Sequence, residues 1–185
     1  MGLFCGAFFL LIVFWKKIEK GYKMFIFSLG VILFFLFLIP NPMSERFYSS
    51  FDLNEGSNIG RMEMWSKAFE TAKKNPFLGV GIGNYPLEVK ASADYREPIN
   101  AHNTYLDIAA DTGIINAFFW IGIIAVAFMG YIRQSKKEIF FLFGAVSLVI
   151  FSVHSFFETS LYSPIVLPLF LIIISLSQLD DKKHI

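Results

Sequence analysis

Charge is scarce in this chain of 185 residues: Asp, Glu, Lys and Arg together make up 17%, where soluble globular domains carry roughly a quarter. That composition leaves too little polar surface for a water-soluble globule, and the 55% of hydrophobic residues excludes a disordered tail. The one cysteine, Cys5, can form no intrachain bridge, so a disulfide scaffold is excluded as well. Sixteen Lys and Arg against fifteen Asp and Glu leave a net charge of +1. The basic surface that nucleic acid requires is missing, and no nucleic-acid partner is expected. What is abundant is apolar bulk, with 23 Phe and 18% aromatics and a mean hydropathy of +0.56. Lipid is the solvent these proportions fit.

Spanning a hydrocarbon core takes about 20 apolar residues, with a lower limit near 17. Five runs are candidates: Gly2 to Trp15, Met24 to Ile39, Ile114 to Ile132, Ile139 to Phe157 and Pro164 to Leu179. The first two are short, but Tyr22, Lys23 and Asn41 can extend the second into the headgroup layer. The first has neither a basic leader before it nor a small-residue cleavage site after it, so it reads as a span and not a signal peptide. The expected fold is all-α: a polytopic helical membrane protein of about five transmembrane helices with a helical extracytoplasmic segment. Residues 1–39 would supply two transmembrane helices, 40–113 the extracytoplasmic segment with its amphipathic helices, and 114–185 three transmembrane helices and a short cytoplasmic tail.

Orientation follows from the lysines and arginines of the short loops, which stay on the cytoplasmic side. Lys16, Lys17, Lys20 and Lys23 follow the first run, and Arg133, Lys136 and Lys137 precede the fourth. Both loops are then cytoplasmic, the C-terminal DDKKHI lies inside, and residues 40–113 lie outside. The spans lack Asp, Glu, Lys and Arg, and His154 and Glu158 appear only at the outer end of the fourth. An ion-coupled transporter or channel would place ionisable groups near mid-membrane, so the chemistry is expected at the outer surface.

Within the outer segment, Pro40-Asn-Pro42 stops the second helix. A further helix is expected from an N-cap at Asn58 to Asn75-Pro76, with Met62, Trp65, Phe69 and Ala72 as its apolar stripe. Arg61 flanks that stripe. It is either a guanidinium stacked on Trp65 or snorkelling to headgroups, or an anion clamp whose planar fork suits phosphate. The run Asn75-Pro-Phe-Leu-Gly-Val-Gly-Ile-Gly-Asn-Tyr85 alternates Gly79, Gly81 and Gly83. It is not a dinucleotide fingerprint. Its glycines permit either close packing of the backbone or a cradle of exposed amides for an anion.

Asn100-Ala-His-Asn-Thr-Tyr-Leu-Asp-Ile-Ala-Ala-Asp-Thr-Gly113 feeds directly into the third span. Read as a helix, it sets Asn103, Asp107 and Asp111 on a polar stripe and His102, Leu106, Ala109 and Gly113 on an apolar one. His102 is then either a hydrogen-bonded packing or capping residue, or a neutral imidazole held near a helix N-terminus and able to take a proton. His154 and Glu158, four apart, either order the loop 159–163 or join Arg61 and His102 in a polar cluster. Two histidines so far apart in sequence lack a recognised ligand spacing, so no metal is expected.

Arg61-Met-Glu-Met-Trp65, Asn75-Pro-Phe-Leu-Gly-Val-Gly-Ile-Gly83, His102-Asn-Thr-Tyr-Leu106 and Asp111-Thr-Gly113 before a membrane helix together resemble the bacterial O-antigen ligase and O-antigen polymerase superfamily. The likeness covers roughly Met24 to Ser175. His102, Asn103 and Gly113 fit a pattern of such ligases, a histidine followed by Asn, Ser or Gln, nine further residues and a glycine. Asn116 departs from the Gly, Thr or Tyr often found at its place. The resemblance implies a membrane glycosyltransferase that takes an undecaprenyl-diphosphate-linked glycan at the outer face of the bacterial cytoplasmic membrane and passes it to a glycan or lipid acceptor. It implies that Arg61 binds the diphosphate and that His102 positions or deprotonates the acceptor hydroxyl; Asn103, Tyr105, His154, Glu158, Gly81 and Gly83 are the expected substrate contacts. It implies neither metal nor cofactor, arginine serving in place of a cation. Members of the superfamily have about ten or more membrane helices, so the chain corresponds to the later part of one, with an N-terminal half missing. The competing expectation is a non-catalytic membrane subunit of a polysaccharide assembly or export complex.

Overall fold

The computed structural model describes residues 2–15, 19–39, 42–49, 52, 54–90, 92 and 99–178. Among these the only regular structure is helical, in agreement with the all-α expectation: α1 (Gly2–Phe14), α2 (Lys20–Leu38), α3 (Pro42–Ser49), α4 (Gly56–Lys74), α5 (Tyr85–Val89), α6 (Thr104–Thr112), α7 (Ile114–Gln134), α8 (Phe140–His154) and α9 (Val166–Leu176). Lys16, Lys17, Pro40, Asn41 and the DDKKHI tail fall outside the described residues.

All five apolar runs are helical over most of their length. One described helix, α7 with 21 residues, is long and apolar enough to cross a membrane, and α8 and α9 are shorter apolar helices. The fourth and fifth runs overstate their helices. α8 ends at His154, and Phe156 and Phe157 lie in the turn that follows; α9 begins at Val166, beyond Pro164. Apolar character continues through both turns, so hydropathy alone does not register where the helices stop.

The chain divides into two compact units, Leu10–Met62 and Met1–Phe9 with Glu63–Ile185. In the first, Asn58 lies inside the opening turn of α4 and does not cap it, contrary to expectation. Its side-chain amide donates to the carbonyls of Ser49 at 3.0 Å and Asp52 at 2.8 Å, which settles the connection before the helix instead of the helix amides. The Lys23 ammonium stands 5.6 Å from the centroid of the Trp15 ring.

The second unit is built around α7, α8 and α9. Ile124, Ala127, Tyr131, Phe141, Ala145, Leu148 and Phe170 form its largest buried cluster, with Trp120 stacked on Phe170 at 4.7 Å. Glycine sets the closeness of these helices: a Cβ on Gly144 would lie 2.2 Å from the Tyr131 ring, and one on Gly130 would lie 2.7 Å from the Ser177 carbonyl oxygen. Close approach through small residues is how apolar helices associate when hydrophobic exclusion cannot drive them together. Phe118, Phe119, Ile123 and Val126 of α7 point outward, an apolar exterior that suits lipid better than water.

α4 enters this unit with a face different from the expected one. Ala68, Thr71 and Ala72 are buried and Trp65 is half-buried, whereas Phe69 and Met62 are exposed. Small residues let α4 lie close to Ala109 and Ala110 of α6, and the bulkier stripe is left outside.

Candidate functional site

The site is assembled where the glycine loop, α6 and the turn after α8 meet. Asn103 begins α6: its side-chain oxygen accepts the amides of Tyr105 at 3.0 Å and Leu106 at 3.1 Å, satisfying two donors that a helix start leaves unpaired. Gly113, at φ 98°, ends α6 and opens α7 with no intervening residue. The glycine loop straps this junction. The Ile114 amide donates to the Pro76 carbonyl at 2.9 Å, and those of Val80 and Gly81 donate to the carbonyls of Ala110 at 2.9 Å and Asp111 at 2.8 Å. Gly79, at φ 62°, has the Asp111 backbone where a Cβ would sit, and Gly113 has Phe77 there. Of the two readings of the loop, close packing is the one its hydrogen bonds support. The Gly81 amide is taken by backbone and the Gly83 amide by the Asp111 carboxylate at 3.2 Å.

α6 docks on the end of α8 through its first turn. The Thr104 amide donates to the Ser155 carbonyl at 2.8 Å, the Thr104 hydroxyl to the Glu158 carbonyl at 2.8 Å, and the Tyr105 hydroxyl to the Ser152 carbonyl at 3.0 Å. The Tyr105 ring packs on Phe156 at 4.7 Å.

His102 precedes α6 and is not part of it. Its φ of 50° is left-handed, a region that histidine tolerates better than most residues with a side chain. Its amide donates to the Asn100 side chain at 3.0 Å. The ring does not share the packed face with Leu106 and Ala109. Instead His102 Nδ1 lies 3.4 Å from Glu158 Oε2, with the two side chains 49% and 46% exposed. Such a half-exposed pair contributes little stability; for a neutral ring, a carboxylate facing Nδ1 favours the tautomer with its hydrogen there and its lone pair on Nε2. His154 is exposed at the last position of α8, and the carboxylate of Glu158 is turned to His102. Arg61 is partly exposed in α4, within the unit Leu10–Met62, one turn before Met64 and Trp65.

The expected polar stripe of α6 is buried, not solvated. Asn103, Asp107 and Asp111 are 5%, 3% and 4% exposed. Asp107 accepts the Ala101 amide at 2.7 Å and the Thr159 hydroxyl. Asp111 accepts the amides of Gly83 and Tyr85 and, at 3.4 Å, the Tyr162 hydroxyl. Burial pushes the Asp107 carboxyl up to about 6, outweighing the bonds from Thr159 and Ala101 that favour its charge. Burial raises Asp111 too, and it raises the Tyr85 and Tyr162 hydroxyls, to which the neighbouring carboxylates add.

Asp107, Asp111, Tyr85, Tyr162, Asn100 and Thr159 line a cavity of about 450 Å³. His102 and Glu158 stand beside it, His102 bonded through its amide to Asn100, and Glu158 adjoining Thr159 in sequence. Neither aspartate was expected among the functional positions. The available signs were the four-residue steps from Asn103 to Asp107 and from Asp107 to Asp111, which a solvated helix face shares, and the place of Asp111 in Asp111-Thr-Gly113. Among the described residues no group of three or more His, Cys, Asp and Glu is placed to hold a metal ion.

The exopolysaccharide production protein ExoQ of Rhizobium meliloti (strain 1021) is 26% identical over 119 residues, covering 57% of this chain and 27% of that protein. The match thus spans about a quarter of the length of the curated relative. No solved structure matches. A family model described as O-antigen ligase matches residues 1–121, a span that takes in Arg61, the glycine loop, His102 and Gly113. With more than half of its length matched, the chain belongs to the O-antigen ligase family of membrane proteins.

Proposed function

We propose that this chain is the glycan-transferring part of a multi-pass bacterial membrane enzyme, acting at the outer face of the cytoplasmic membrane with residues 40–113 extracytoplasmic. The donor is a glycan on undecaprenyl diphosphate and the acceptor a hydroxyl of a second glycan or a lipid. The observation that carries this reading is the His102–Glu158 pair beside a cavity large enough for a sugar. Glu158 accepts a hydrogen bond from Nδ1–H and orients the ring, and His102 Nε2 takes the acceptor hydroxyl proton as the oxygen attacks the anomeric carbon. The bond from that carbon to the diphosphate oxygen breaks, and the polyprenyl diphosphate leaves with the electron pair. The role of binding the diphosphate falls to Arg61 from its place in the sequence motif alone, its planar fork of donors being suited to phosphate. Asn103 and Tyr105 support the arrangement, Asn103 by capping α6 and Tyr105 by docking it on α8.

His102→Ala and Arg61→Ala, each expressed at the abundance of the parent chain in cells lacking it, test the proposal. The expected result is accumulation of the lipid-linked glycan and at least a hundredfold loss of polymer or conjugate. Normal consumption of the lipid-linked glycan by both variants would instead identify the chain as a non-catalytic subunit of a polysaccharide assembly complex.

A further inference from the structure

The cavity between α5, α6 and the turn after α8 differs chemically from a diphosphate site. Its two charged side chains are Asp107 and Asp111, and none of its described lining residues is Lys or Arg. Two carboxylates in a half-enclosed space repel an anion, so the described lining disfavours the diphosphate of a lipid carrier. The rest of the lining is mixed. Tyr85, Tyr162, Pro86, Ile82 and Ile99 supply ring and aliphatic surface, while Asn100 and Thr159 supply amide and hydroxyl groups. Carboxylate, amide and phenol groups set among apolar faces suit a molecule that carries hydroxyls around a ring with apolar C–H faces. The volume of about 450 Å³ exceeds what one sugar ring needs.

The carboxylates retain capacity for such a ligand. One Asp111 oxygen carries the Tyr85 amide and the other the Gly83 amide and the Tyr162 hydroxyl, while a carboxylate offers about four lone-pair positions. The Tyr162 contact, at 3.4 Å, is the weakest of these, and Tyr162 is half exposed, so its hydroxyl is the group most easily turned to a ligand. Asp107, in turn, holds Ala101 and Thr159, the chain neighbours of His102 and Glu158. A ring bound against Asp107 therefore lies next to the segments that carry the proposed base.

We propose that this cavity is the acceptor subsite: it binds a neutral or amino-bearing saccharide ring through Asp107, Asp111 and Tyr162, and it excludes the phosphorylated end of the donor. The proposal rests on the glycan-transfer reading and adds to it the class of molecule bound and the side chains that select it.

The test is saturation-transfer NMR on the full chain in lipid nanodiscs. The probes are the methyl glycosides of glucose, galactose and mannose, N-acetylglucosamine, glucosamine, inorganic phosphate and magnesium chloride. At least one saccharide should bind, inorganic phosphate should not compete with it, and Tyr162→Phe should weaken it about tenfold, the effect of one hydrogen bond to a polar ligand. Ile82→Trp, at an exposed lining position whose change leaves the carboxylate bonds in place, should weaken it as well. Binding of no saccharide, competition by phosphate, displacement by magnesium, or the parent chain's affinity retained in both variants would overturn the subsite. The outcome is separable from the transfer reading: loss of transfer in His102→Ala with saccharide binding indifferent to Tyr162→Phe removes the subsite alone, whereas intact transfer in His102→Ala with binding sensitive to Tyr162→Phe removes the proposed base alone.

Discussion

Asp107 accepts the backbone amide of Ala101 at 2.7 Å with one carboxylate oxygen and the Thr159 hydroxyl with the other. One buried side chain thus joins the segment that carries His102 to the segment that carries Glu158. The pair is held by the interior of the protein, and its own weak contact only completes the arrangement.

The same aspartate should mark the pH dependence of stability. Its carboxyl lies at about 6 in the folded chain, raised by burial from an ordinary 3.8, so between those values the folded state binds a proton that the unfolded state releases. The resulting stability is present in full below about pH 4 and is lost as pH rises through 6, a change of about 3 kcal/mol. Thermal unfolding in detergent between pH 4 and 7 should show that slope. Asp107→Asn, which can still accept from Ala101, should flatten it; an unchanged slope would contradict the assignment to this carboxyl.

Glu158→Gln should lower kcat for transfer by about tenfold to a hundredfold with little change in KM, because the amide no longer dictates which ring nitrogen of His102 carries the proton. The melting temperature should stay within a degree or two, since a half-exposed pair contributes little. A large drop in melting temperature, or a rise in KM alone, would show Glu158 to be structural or substrate-binding instead.

Gly79→Ala should destabilise the chain by about 2–3 kcal/mol, since φ is 62° and the new carbon would lie 2.3 Å from the Asp111 carbonyl carbon. Gly60→Ala, in α4 with open space around it, should stabilise by about 0.5–1 kcal/mol. Melting temperatures that shift alike for the two would refute the strap.

Thr104→Val keeps the shape of a fully buried side chain but removes the donor to the Glu158 carbonyl. A loss of about 1 kcal/mol is expected, together with faster modification of His102 by diethyl pyrocarbonate as the turn after α8 loosens.

Much of the architecture was legible because it follows from long apolar runs. The third run gave α7 its start at Ile114, with Gly113 as the break before it. The site was legible only in its parts. His102, Asn103 and Gly113 could be singled out by residue type and spacing, yet the helical reading put His102 on the packed face, since nothing in periodicity signals a left-handed residue one place before a cap. Asp107 and Asp111 stayed hidden because a stripe of carboxylates looks the same whether it faces water or a buried set of donors. Those donors, from Ala101, Thr159, Gly83, Tyr85 and Tyr162, are as much as 52 residues away. The spacing of four pairs Glu158 with His154, and only the alternative of a polar cluster brings in His102; α8 stops at His154, and the carboxylate turns to His102.

The direct join of α6 to α7 at Gly113 gives the molecule a lever. No slack separates a helix that fits a bilayer from the one whose far end sets His102, and the glycine strap stiffens the elbow between them. A change of tilt in α7 is therefore passed directly to the start of α6, where Asn103 caps the helix and His102 precedes it.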